Sequence, residues 1–270
     1  MVKTLLASLL SLCFLQISAQ FNEMVGGRAA AMGGTSVNQS DLWSVENNMG
    51  ALAFYNKTAV GAYYSNSFLV KELAHKSIVA TYALKNSGFG LSLSQFGYSL
   101  YQENKVGLSY GLKLSDNFGA GVQLNYFNLK IGEGYGSTGV LTAKVGVYTK
   151  ITDELSLAAT ISNPTRAQLN DYKDERLPTE IQIGLNYEFS KKLNTSIQVA
   201  KDLDFDPSLQ LGLEYQVIEI LYLRAGIANK PAESTFGFGI FFKDFQMDFA
   251  SCFDSNLGFS PKISLSYTFE

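Results

Sequence analysis

The chain has 270 residues, 17% of them charged and 13% aromatic, with 24 glycines, 5 prolines and a formal net charge of −3. A mean hydropathy of +0.04, and no run beyond residue 20 near the ~18 apolar residues a membrane helix needs, exclude a helical membrane protein. The mildly acidic balance lacks the basic footprint that nucleic-acid binding requires.

Residues 1–19 read as a secretory signal peptide. Lys3 supplies the positive start, residues 5–15 an apolar run, and Ile17-Ser18-Ala19 a small-residue cleavage site before Gln20. Leu12 and Phe14 fit a lipidation site at Cys13 poorly. Once the leader is gone Cys252 is the sole cysteine, so no intrachain disulfide forms. It stands on the small-polar parity of a strand and reads as a packing residue.

Residues 20–56 carry no two-residue period. They are rich in Gly and Ala up to Gly34, then take a short helical look from Asp41, a suitable N-cap, to Met49 before Gly50. Their glycines would leave backbone groups unsatisfied in lipid. Val25, residues 29–32, Leu42, Trp43, Val45 and residues 52–54 are too apolar for open water. A barrel interior meets both demands, so this stretch is expected as a hatch in the lumen. Gly26, Gly27, Gly33 and Gly34 would make its tight bends, Trp43 would be buried, and Arg28, Met32 and Asn48 complete the hatch set.

From residue 57 the side chains alternate. Phe118, Ala120, Val122, Leu124 and Tyr126 interleave with Gly119, Gly121, Gln123 and Asn125, one apolar face and one small-polar face. The same pattern yields fourteen strands: 57–66, 75–85, 87–96, 104–114, 118–130, 139–151, 155–162, 179–189, 193–201, 208–217, 221–229, 234–242, 245–253 and 261–269. Each is about the 9–11 residues a tilted strand needs to cross a bilayer. The even number suits a single-chain barrel.

Alternation alone does not say which face meets which medium; the loops do. Parity closes four turns at Leu114/Phe118, Ile151/Leu155, Phe189/Leu193 and Val217/Leu221, each enclosing three residues, and two-residue hairpins are expected at Asn86-Ser87 and Lys243-Asp244. Connections at the other end are longer. Short turns against long loops mark an outer-membrane barrel, with the turns and both termini in the periplasm. The polar face is mostly Gly, Ser, Thr, Asn and Gln rather than Lys and Glu, as befits a lumen. Tyr110, Tyr126, Tyr187, Tyr215, Phe242, Phe253, Tyr267 and Phe269 would form the aromatic girdles. The expected fold is an all-β, 14-stranded antiparallel transmembrane β-barrel over residues 57–270. Lys113, Lys144, Glu188, Glu214, Arg224, Lys243 and Asp248 have lumenal parity, with Glu214 directly across from Arg224.

"GGRAAAMGGTSV", "DLWSVENN" and "NMGALAF", about thirty residues, resemble the N-terminus of the PorV/PorQ outer-membrane proteins, within the wider superfamily of the FadL long-chain fatty-acid transporters. Asn48-Met49-Gly50-Ala51-Leu52 lacks the proline usual in that family's second element. The resemblance implies a fourteen-stranded barrel with its N-terminal segment folded inside. It also implies either passage of small hydrophobic molecules past the hatch or a non-transporting scaffold role in a type IX-like secretion or surface-attachment machine.

Enzyme chemistry finds no footing. The single histidine, His75, reads as a solvated rim residue beside Lys76, without the partner a hydrolase needs. Asp202, Asp204 and Asp206 alternate on an outer loop, but Pro207 stands where an EF-hand loop needs glycine. No catalytic, cofactor or metal residue is expected. The expected partners of this monomer are outer-membrane lipid and either a small hydrophobic ligand or secretion-system proteins.

Overall fold

A computed structural model describes residues 24–133, 136–170, 175–254 and 257–269. The expected signal peptide and residues 20–23 lie outside the described residues. The strands in chain order are β1 (Ala59–Asn66), β2 (Ala74–Ala83), β3 (Ser87–Tyr98), β4 (Tyr101–Lys113), β5 (Phe118–Ile131), β6 (Gly136–Lys150), β7 (Leu155–Ser162), β8 (Gln168–Asn170), β9 (Glu175–Arg176), β10 (Glu180–Ser190), β11 (Leu193–Asp202), β12 (Ser208–Ile218), β13 (Leu221–Asn229), β14 (Ala232–Phe242), β15 (Phe245–Asp254) and β16 (Gly258–Thr268). All but β8 and β9 join in sequence into one closed barrel, and β8 pairs with β9 as a ribbon in the connection from β7 to β10. The antiparallel wall closes where β1 meets β16, with Ala62 opposite Leu265.

Burial follows the two-residue period. Leu124 is 61% exposed and its neighbour Gln123 only 1%. Ile78, Leu108, Leu141, Ile183 and Phe236 are exposed on the outside, while Ser77, Ser109, Thr142, Gln182 and Thr235 are buried on the inside. Apolar outward and polar inward is the pattern of a transmembrane barrel and the reverse of a water-soluble one. Near the turns, Phe89 packs on Tyr110, Tyr187 on Phe189 and Phe245 on Tyr267 on the outer face, where aromatic girdles sit.

Parity set the register at most turns. Leu112 pairs with Ala120, Val147 with Ala159, Leu185 with Ile197 and Glu214 with Arg224, the pairings that the expected closures require. Bulges then tighten two of these turns, pairing Ser190 with Leu193 and Ile218 with Leu221, so those loops shorten by one residue. Lys243-Asp244 spans Phe242 and Phe245 as expected. The first hairpin differs. The Leu84 amide donates to the Ser87 carbonyl at 2.8 Å and Ala83 pairs with Gly88, so the loop is Lys85-Asn86 rather than Asn86-Ser87. Parity cannot separate two registers that both place apolar side chains outward.

At the other end several strands outrun the alternating pattern. Tyr98 pairs with Tyr101 and Asn229 with Ala232, which shrinks two expected long loops to tight connections. The difference between the ends therefore rests on residues 67–73, 163–179 and 203–207.

Residues 24–56 run through the inside of the barrel as three short helices, α1 (Gly27–Ala31), α2 (Ser44–Asn47) and α3 (Met49–Leu52). Val25, residues 29–32, Val37, Leu42, Trp43, Val45 and residues 49–53 are fully or almost fully buried. The single helix expected from Asp41 to Met49 is broken. Asn48 is extended, at φ −156 and ψ 109, and its side chain accepts from the Gly50 amide to cap α3.

Candidate functional site

The candidate site is the inner segment together with the wall residues that hold it. Its first half is pinned to β12–β16 through backbone groups. The Gly27 amide donates to Ser264 Oγ at 3.0 Å and the Gly33 amide to Thr235 Oγ1 at 2.9 Å, while the Thr235 hydroxyl donates to the Ala31 carbonyl at 2.9 Å. Two glycines are obligatory here. Gly26 (φ +111) would place a Cβ 2.6 Å from the Trp43 ring, and Gly33 (φ +70) would place one 2.6 Å from the Leu211 carbonyl. Trp43 is 2% exposed; its ring lies on Gly26 and edge-on to Tyr63 at 6.1 Å. Gly34 faces Gln210, and the Met32 carbonyl rests on Gly212 of the wall. Further along, Gln198 Oε1 accepts from the Ser36 and Val37 amides at 2.9 and 3.0 Å.

Five charges meet beside α1. Arg28 binds Glu214 through two nitrogens, Nε at 2.9 Å and Nη2 at 2.6 Å, and its Nη1 stands 3.6 Å from Asp41 Oδ2. Arg224 donates to Glu214 at 2.6 Å and to Asp248 at 2.7 Å. Burial opposes the charge on Arg28, but Glu214, then Asp41 and Asp248, outweigh it and hold the guanidinium above its ordinary pKa. Asp41 goes the other way: burial pushes its carboxyl up despite Arg28, and Asp248 adds to the rise.

The second half is held differently. Val45 offers its carbonyl to Ser109 Oγ at 2.8 Å and Gln123 Nε2 at 3.0 Å. Lys105 binds the Glu46 carboxylate at 2.7 Å, and Lys144 donates to the Glu46 carbonyl at 2.9 Å. Burial would raise the Glu46 carboxyl, but Lys105 overrides it and Ser92 and Lys144 assist, so the group lies below its ordinary range. The Asn48 amide donates to the carbonyls of Val37 at 2.7 Å and Val147 at 3.0 Å, tying both halves of the segment and the wall together.

The residues singled out from the sequence divide accordingly. Gly26, Gly27, Arg28, Met32, Gly33, Gly34, Trp43 and Asn48 all lie in this inner segment. Glu214, Arg224 and Asp248 form the cluster around Arg28, and Lys144 reaches Glu46. Lys113 and Glu188 stand at the turn end, where Lys113 lies over the Phe54 ring at 5.2 Å. Lys243 is not lumenal: as a turn residue at φ 52 it is exposed and covers the ring of Phe242. His75 is not a solvated rim residue either. It is 6% exposed and packs edge-on against Tyr63 at 5.8 Å, because it stands on the inward parity of β2 with the buried Ser77 and Val79. Asp206 pairs at 2.7 Å with Lys230 of the connection between β13 and β14, and Asp202 accepts from the Asp204 amide within its own loop. The sequence reading missed Asp41, Glu46 and Lys105. Their signal was an acid within an apolar segment and a lysine at inward parity.

Two polar cavities open at the turn end. One, of about 260 Å³, lies among Arg28, Gln39, Phe54, Tyr148, Lys150 and Glu188. The other, of about 280 Å³, lies among Arg28, Glu188, Lys191, Asn194, Glu214 and Tyr222.

No family model matches the chain, and no curated protein does. Solved structures share the fold. A monoaromatic hydrocarbon channel, CymD, superposes with a TM-score of 0.70 at 11% identity, over 93% of this chain and 99% of that one. The toluene transporter TodX of Pseudomonas putida gives 0.67 at 14% identity, over 92% and 99%. A FadL homologue of Pseudomonas aeruginosa gives 0.58 at 14%, over 91% and 98%. The chain thus shares its fold with these channels, this transporter and the FadL homologue, while the PorV/PorQ likeness rests on the sequence of the inner segment alone.

Proposed function

We propose that the protein is an outer-membrane channel for small, mainly hydrophobic molecules, and that residues 24–56 are the hatch they must pass. The observation that carries this reading is how the inner segment is held. It fills the lumen through hydrogen bonds, ion pairs and packing, and it contains no cysteine, so its release breaks no covalent bond. The barrel carrying it has the fold of proteins described as hydrocarbon channels and a toluene transporter. The apolar outer band, the signal peptide and the short turns fit the outer membrane of a Gram-negative-type envelope, with the turns facing the periplasm. On this reading the protein is not an enzyme; the five-charge cluster anchors the hatch rather than doing chemistry.

Deletion of residues 22–52 tests it. The shortened chain is expected to insert in planar bilayers with higher ion conductance than the full chain, and to speed uptake of toluene by cells that express it. Unchanged conductance together with a water-quenchable Trp43 in the intact protein would place the segment outside the lumen and remove the gate.

A second reading has one observation in its favour. The inner segment packs so closely that many of its residues have no exposed surface, which suits a permanently plugged scaffold of the PorV/PorQ type in a type IX-like secretion or surface-attachment machine. Purification from outer membranes followed by mass spectrometry separates the two: a bound hydrophobic small molecule supports the channel, a stable protein partner the scaffold.

A further inference from the structure

The two halves of the inner segment are anchored with unequal charge balance. Around Glu46, Lys105 binds the carboxylate and Lys144 the backbone carbonyl. Around Arg28 three carboxylates, Asp41, Glu214 and Asp248, share two guanidiniums, Arg28 and Arg224. Pairing is incomplete in both halves: Asp41 Oδ2, Arg224 Nη2 and Glu46 Oε1 are buried without a hydrogen-bond partner. The half anchored by Arg28 also has room to move. Both polar cavities border Arg28, and both are lined by a further carboxylate, Glu188. Glu188 is solvent-exposed on β10, so it already sits in the space into which the Arg28 side chain would swing. A long, flexible side chain between two carboxylates, one in a crowded cluster and one beside open volume, has two discrete positions.

We infer that Arg28 is a two-position switch: paired with Glu214 the segment is closed, and exchanged to Glu188 its first half lifts from the wall toward the turn end while α2 and α3 stay seated. This inference rests on the hatch reading and names the half that moves. Lys150, Lys191 and Lys192 also border the cavities and compete for Glu188. They are exposed, so the exchange is set by the balance of Arg28 between its two carboxylates. Asp41, on the segment itself, travels with Arg28. Glu214, Arg224 and Asp248 stay with the wall, where Arg224 keeps its two carboxylates once Arg28 leaves.

Hydrogen exchange of the full chain in lipid nanodiscs reads the movement directly. In the unmodified protein the amides of residues 27–36 are expected to exchange about tenfold faster than those of residues 44–53. Glu188→Gln changes an exposed side chain away from the packed segment. It should slow residues 27–36 severalfold and leave residues 44–53 unchanged, whereas Glu214→Gln should speed residues 27–36. Equal exchange of the two halves, or no response to Glu188→Gln, overturns the switch, even if Glu214→Gln fails to fold. Exchange does not depend on what passes through the barrel. If the pattern holds while deletion of residues 22–52 leaves conductance unchanged, the channel reading fails and the switch stands.

Discussion

The barrel wall and the segment inside it are built by opposite rules. In the wall each residue is replaceable by another of the same parity class, because what fixes it is a period of two and two media. Leu124 needs only to be apolar, and Leu108 opposite it obeys the same demand. In the segment almost every residue answers to one named partner: Gly33 to the Leu211 carbonyl, Asn48 to Val37 and Val147, Arg28 to Glu214. Periodicity gives a wall that tolerates substitution, and individual contacts give a segment that tolerates little. The wall residues that face the segment, such as Gln123 and Arg224, belong to the second regime although they sit in the first.

The largest test of that boundary is Arg224→Met. It leaves Glu214 with Arg28 alone and strips Asp248 of its guanidinium. Removing one partner from a buried ionic cluster typically costs about 3–5 kcal/mol, and equilibrium refolding into bilayers should show a loss of that size. A cost as small as that of an outward conservative change would mean the cluster is hydrated and the contrast overstated.

Next comes a pair on adjacent residues. Leu124→Arg puts a charge on the outer face and should cost about 2–4 kcal/mol if the position is near the bilayer midplane. Gln123→Arg faces inward and should insert with normal yield, but it removes the bond to the Val45 carbonyl and crowds the segment. Its signature should be raised conductance. Equal folding yields for the two variants would overturn the assignment of faces.

Asn48→Ala removes a helix cap and two cross-links, and such a loss typically costs about 1–2 kcal/mol. Because these bonds join both halves of the segment to β6, hydrogen exchange should quicken across residues 37–53 with the wall unaffected. A response confined to the wall would show that Asn48 supports β6 rather than the segment.

The smallest effect is a pH dependence. In the closed state burial raises the Asp41 carboxyl above its ordinary 3.8, so proton uptake there favours closure, and that contribution is lost as pH rises through the raised value. Arg28, Glu214 and Asp248 act on this carboxyl, and Tyr55 also feels its charge. Glu46 works in the opposite sense: its carboxyl lies below the ordinary 4.5, so its support of the seated second half fades only as pH falls through that lowered value. Conductance should therefore decline as pH is lowered toward the ordinary carboxylate range, and Asp41→Asn should abolish that decline. A decline that survives in Asp41→Asn would assign the proton to another group.

Sequence alone determined the wall: its strand count, the face of most strand residues, and the pairing of Glu214 with Arg224. A two-residue period and a hydrocarbon surround leave few alternatives. It also showed that residues 20–56 obey another rule. Only the tertiary structure decided what depends on contacts across the lumen. It broke the expected helix at Asn48, since the cap and the bonds to Val37 and Val147 require an extended residue. It moved the first hairpin by one residue, since parity repeats every two. It enclosed His75, which faces inward against Tyr63 of the neighbouring strand. It brought Asp41, Glu214, Arg224 and Asp248 around Arg28 from sites as far as 220 positions apart in sequence (Arg28 to Asp248). No local pattern encodes such a meeting, because closing the barrel, not the chain's own periodicity, sets which inward residues face the segment.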